Sequence, residues 1–185
     1  MKLCNIASLD PAITSSGRKG LSGASDLDRE VWNEFHTDWD RLAMECVHIH
    51  ARLRVEKGLP EAEQSVDDGL EDIEDFTGEI KRVITEQRIR QNFFRRAVLS
   101  SYRERCCMSG LSDSRLLIAS HIVPWSHDKE NRLNPRNGLC LSALHDKAFD
   151  RGLIALDDDF RVMLSQELER NNEPFVKQFF HPLAG

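Results

Sequence analysis

Residues 106–152 read CCMSGLSDSRLLIASHIVPWSHDKENRLNPRNGLCLSALHDKAFDRG, and this stretch decides the fold. An apolar, β-prone run (Leu116, Leu117, Ile118, Ala119) delivers Ser120-His121-Ile122-Val123-Pro124. A polar loop follows, then Asn137-Gly138-Leu139-Cys140-Leu141, then a segment carrying His145, Asp146 and Asp150. The order is therefore a strand ending in His, a loop, an Asn-Gly turn, a short strand, and a helix with ligand-type side chains.

Each of these residues suits a particular task. A His at a strand edge, with an ordinary pKa near neutrality, suits a general base. Asn137 stands before Gly138, where the chain must turn, and its amide can tie the loop to itself. Residues four apart on a helix share a face, so Asp146 and Asp150 can reach a single ion. A hard cation that polarises phosphate oxygen takes carboxylate, imidazole and water as ligands.

The joint spacing resembles the HNH endonuclease family, whose ββα-metal fold cuts phosphodiester bonds. The resemblance covers roughly a quarter of the chain. It implies an α+β fold built on a ββα core. It also implies a divalent-metal-dependent endonuclease acting on DNA, of the bacterial restriction or defence kind. His121 matches the family's general base, and Asn137 matches the central Asn that braces the loop. His145, Asp146 and Asp150 match the catalytic and metal-binding helix positions as one group, with their individual roles open. Mg²⁺ or Mn²⁺ is the implied ion, with Zn²⁺ or Ni²⁺ as further options. One departure bears on the metal: the residue before the base is commonly Asp or His, and here it is Ser120.

Many family members also hold a structural zinc between two C-x-x-C pairs. In this chain Cys107 is followed at that spacing by Gly110, and the second pair reads Ser142 and His145. One Cys and one His cannot close a tetrahedral site, so no structural zinc is expected and packing is expected to hold the fold. Cys106, Cys107 and Cys140 read as buried apolar residues.

At 185 residues the chain is long enough for one domain with a real core plus an appended element. Five cysteines, none in a C-x-x-C pair, fit a reducing cytoplasm. The start, MKLCNIASLDP, lacks the apolar run of a signal peptide, and no membrane association is expected. A net charge of −6 is uneven: residues 58–79 carry nine acids and no base, whereas residues 80–105 carry a net +6. The basic segment, with Arg88, Arg95 and Arg96 as phosphate contacts, is the electrostatic footprint of a DNA-binding surface.

Five segments follow. Residues 1–57 are read as an extended Gly/Ser-rich arm, then one long amphipathic helix capped at Ser25-Asp26. Along it Trp32, Phe35, Trp39, Leu42, Cys46, Ile49 and Leu53 recur as a seven-residue repeat. That repeat marks a helix that packs along another helix, of this chain, of a second copy or of a partner protein. Residues 58–79 read as an acidic linker and 80–105 as a basic helix docking on the core. Residues 106–165 are the nuclease core, ending in a hairpin (Gly152–Leu156 and Phe160–Leu164) turned by Asp157-Asp158-Asp159. Those aspartates lack the further ligands of a calcium loop. Residues 166–185 are read as an aromatic-rich tail whose exposed surface suggests a partner or a missing continuation. Trp125 is read as packing under the loop, and His36, His48, His50, His127 and His181 as surface or partly packed residues. Two other readings of the chain remain open: an inactive HNH-like DNA-binding module, and a helix-mediated interaction protein. Cleavage of plasmid DNA with Mg²⁺ or Mn²⁺ against EDTA separates the nuclease from both.

Overall fold

The computed structural model describes residues 6–19, 21, 23–58 and 78–184, with backbone alone at 78–81. Most of the acidic linker, 59–77, lies outside the described residues. The chain divides into two compact units, residues 1–90 and 91–185.

The first unit is helical. The arm is not wholly extended, because Asp10 caps a short helix α1 (Pro11–Thr14) by accepting from the Ala12 amide. Ser25 and Asp28 then form a reciprocal capping box at the start of α2 (Asp26–Phe35), which satisfies two otherwise orphaned amides. The expected long helix is broken at residues 36–38, and a second helix, α3, spans Trp39–Lys57. The break has a local cause: the Asp38 carboxylate accepts from the Arg41 amide at 2.9 Å and starts a new helix. Gly58, at φ 59°, closes α3 in the left-handed region. Along the heptad stripe Trp32, Phe35, Trp39, Leu42 and Cys46 are half-buried, while Ile49 and Leu53 are exposed.

The second unit holds the ββα core. Helix α4 (Gly78–Ser101) crosses the division between units and supplies Phe94, Val98 and Leu99 to the buried core. Strands β1 (Leu117–His121) and β2 (Gly138–Ser142) pair antiparallel, with His121 opposite Gly138 and Ser120 opposite Leu139. Gly138 is required there for space. A Cβ at this position would lie 2.3 Å from Val98 Cγ2 and 2.9 Å from Phe94 Cζ, so the bare backbone admits α4. Ser142 ends β2 and caps α5 (Ala143–Asp150) by accepting from the His145 amide.

A second cluster buries Ala148 of α5 with Ile154, Leu168, Val176 and Phe180. Strands β3 (Ile154–Leu156) and β4 (Val162–Leu164) form the expected hairpin, each strand shorter than its apolar run. Phe160 sits in the turn at φ 63° and is 78% exposed, rather than in a strand. Asp157 shapes the turn by accepting from the amides of Asp159 and Arg161. Helices α6 (Gln166–Arg170) and α7 (Pro174–Phe179) follow, and Ala184 bridges back to Val162. The segment expected to be a tail thus supplies three of the five buried residues of this cluster. Phe175 and Phe179 stay exposed, packed against each other at 4.6 Å.

Candidate active site

The loop between β1 and β2 is closed by one residue. Asn137, 8% exposed, accepts from the Val123 amide at 2.8 Å and donates to the Val123 carbonyl at 3.1 Å. Its own carbonyl accepts from the Ile122 amide. Asn134 caps the 3₁₀ turn Pro135–Asn137 that delivers this amide. The result is a loop cinched at its base, with no reacting role required of Asn137.

His121 ends β1 and is held on three sides. Its ring stacks on Phe94, with centroids 3.9 Å apart and planes 9° from parallel. Trp125 meets it edge-on at 5.5 Å. Its Nε2 lies 2.8 Å from the Arg132 carbonyl, which can only accept, so Nε2 carries the hydrogen. Nδ1 is left with a lone pair, which a base needs. Trp125 therefore packs within the loop as expected, and it also bounds His121.

The expected ligand group divides in two. Asp146 lies near Ser120, whose side chain favours the ionised carboxylate. Burial pushes the Asp146 carboxyl above the usual range and the charge of Asp150 adds to this, while Ser120 and Lys147 oppose. A carboxylate made costly to ionise by burial and by a second carboxylate gains most from a bound cation. His145 points elsewhere. It is 3% exposed, with Nδ1 3.0 Å from Ser142 Oγ and 3.4 Å from Cys106 Sγ, and its ring edge meets Phe180 at 5.9 Å. Its Nε2 is buried and unpaired. Residues 145 and 146 are neighbours on a helix turning about 100° per residue, so they cannot share a face. His145 here packs against Phe180 and contacts Ser142 and Cys106, apart from the Ser120 side that Asp146 faces.

Among the described residues, no group of three or more His, Cys, Asp or Glu side chains is placed to hold an ion. The oxygen donors present are the carboxylates of Asp146 and Asp150 and the Ser120 hydroxyl. Such a set fits a hard cation that keeps several waters, as Mg²⁺ does. The zinc positions are corrected in register. Cys106, not Cys107, meets His145, with the Ser109 amide donating to Cys106 Sγ at 3.4 Å and Ser142 beside it. One thiol, one imidazole and serine hydroxyls do not fit a closed tetrahedral zinc. Cys106 is more than an apolar filler. Burial pushes its thiol up, but hydrogen bonds from His145 and from Ser109 and Met108 outweigh this and hold it at about 6. Cys107 is exposed, whereas Cys140 is buried.

The arginines also divide. Arg95 donates through Nη1 to the Leu117 carbonyl (2.7 Å) and through Nη2 to the Ser114 carbonyl (3.1 Å), strapping α4 to the start of β1. Arg96 is exposed, and Arg88 is half-buried. Residues missed by sequence reasoning are Phe94, an apolar residue of α4 far from His121 in sequence, and Arg132, whose contribution to His121 comes through a backbone carbonyl that no side-chain pattern reveals.

Residues 106–157 match a family model described as HNH endonuclease. This segment is an HNH domain. The match begins at Cys106 and ends just past β3, and so takes in the loop, both site strands and α5. No match to a curated protein accompanies it. An HNH domain implies a nuclease with DNA as substrate, and HNH nucleases generally use a divalent metal. Among the described residues no helix is long and apolar enough to cross a membrane.

Proposed function

We propose that the chain is a metal-dependent endonuclease that hydrolyses phosphodiester bonds in DNA, of the restriction or defence kind implied by its HNH domain. The observation that carries this is the 2.8 Å contact of His121 Nε2 with the Arg132 carbonyl, which leaves Nδ1 as the acceptor, on the strand whose Ser120 acts on Asp146. Nδ1 of His121 takes the proton of the attacking water. Phe94 and the Arg132 carbonyl keep the ring from turning, so the lone pair stays aimed without reorganisation. Asp146, Asp150 and Ser120 would hold the divalent cation. When bound, it neutralises charge developing on phosphate and leaving-group oxygens. Asn137 keeps the loop closed over the base. Arg96 contributes to backbone binding, and Arg95 is assigned to the fold.

Cleavage of supercoiled plasmid with Mg²⁺ or Mn²⁺, set against EDTA, tests the reading. His121→Ala should lose about 10²–10⁴ in rate while cation binding persists. Asp146→Ala with Asp150→Ala should lose both, as calorimetry would record. Loss of cation binding by His121→Ala but not by the Asp pair would reverse the roles.

A further inference from the structure

The loop residue Arg132 does more than lend a carbonyl. Its backbone is pinned between the bond to His121 and the neighbouring Leu133, which is 1% exposed. Its side chain then turns over the face of Trp125, with the guanidinium carbon 5.1 Å from the ring centroid, and the same indole meets His121 at right angles. Among the described residues, Nε of the guanidinium has an acceptor, the Lys129 carbonyl at 3.0 Å. Among the described residues neither Nη group donates to any protein atom, and no carboxylate pairs with it. Arg95 shows the contrast, since both of its Nη groups are spent on carbonyls. A cation stacked on an indole is fixed in plane and position, and its two unspent Nη groups present the planar fork that matches phosphate oxygens.

We propose that Arg132 is a catalytic residue, its Nη groups gripping the non-bridging oxygens of the phosphodiester that His121 attacks through water. This deepens the nuclease reading and rests on it. Stacking on Trp125 holds the fork ready, so charge developing on the phosphate meets a donor that need not reorganise. A guanidinium serving only to hold the loop would place its Nη groups on carbonyls of that loop.

Arg132→Met separates these roles. It keeps a long apolar side chain against Trp125 and leaves the backbone carbonyl on His121 intact. Single-turnover cleavage of supercoiled DNA by the full chain with Mn²⁺ is expected to fall about 10²–10³-fold. DNA affinity should change by only a few-fold and the thermal midpoint should hold. Arg132→Lys should recover part of the loss, since a point charge lacks the fork. Wild-type rates in the Met variant overturn the proposal. So does an equal loss in the Met and Lys variants accompanied by a lower thermal midpoint, which would make Arg132 a strap. A wild-type chain that cleaves nothing would fail the nuclease reading itself, and this proposal with it.

Discussion

Asp146 carries opposed demands on one side chain. Burial and Asp150 raise its pKa, so ionisation in the folded state costs more than in the unfolded chain. The sign follows: a group with a raised folded pKa favours the fold below its unfolded pKa, and that advantage is lost as pH rises through the folded value. At neutral pH without metal, the charged Asp146 therefore works against stability. Asp146→Asn keeps the shape, removes the charge and should raise the thermal midpoint in EDTA at pH 7. The gain should vanish below about pH 4, where the native carboxyl is itself protonated. The same variant should lose cleavage. A midpoint at pH 7 below that of the wild type would show that the carboxylate is stabilised by a partner other than Ser120. At this scale the sequence disclosed residue types but not directions. The strand order placed His121 and Asn137. The separate directions of His145 and Asp146 follow instead from the rotation of about 100° between neighbours on a helix.

Between elements, the fit of α4 against β2 decides whether His121 stands in place. Gly138 leaves room for Phe94 and Val98, and Phe94 then reaches across to stack on His121. Gly138→Ala should cost about 1–3 kcal/mol, as overpacking does, and should reduce cleavage because Phe94 must shift. Denaturant melts and cleavage rates on the same preparations would check this; a stable but inactive variant would confine the effect to the ring. Arg95 and Arg96, neighbours on α4, should part company. Arg95→Met removes two bonds made by a charged donor to carbonyls and should destabilise by about 1.5–3 kcal/mol. Arg96→Met should leave stability unchanged, weaken DNA binding to all sequences alike and flatten its salt dependence. Equal effects of the two on affinity would return Arg95 to the DNA-binding surface. Charge counting could not separate them, because a carbonyl acceptor leaves no mark in sequence. The break between α2 and α3 was legible in principle: Thr37-Asp38 before Trp39 is an N-cap signal, hidden because Phe35 and Trp39 keep helical spacing across it.

For the whole chain, the family match and the folding unit have different ends. The match stops at residue 157, but the cluster around Ala148 and Ile154 is completed by Leu168, Val176 and Phe180. His145 belongs to this side too, with its ring against Phe180. Fully burying each of those side chains contributes about 1.5–3 kcal/mol. Losing three would consume much of the roughly 5–15 kcal/mol that holds a domain together. A fragment of residues 78–185 retains this cluster, both site strands and the α4 residues on which His121 rests. It should melt as one cooperative transition and keep metal-dependent cleavage. A fragment of residues 78–165, although it contains the entire family match, should give no cooperative melt and bind hydrophobic dye. If the shorter fragment melts at the same temperature as the longer one, α6 and α7 are dispensable and the second cluster is not part of the folding unit.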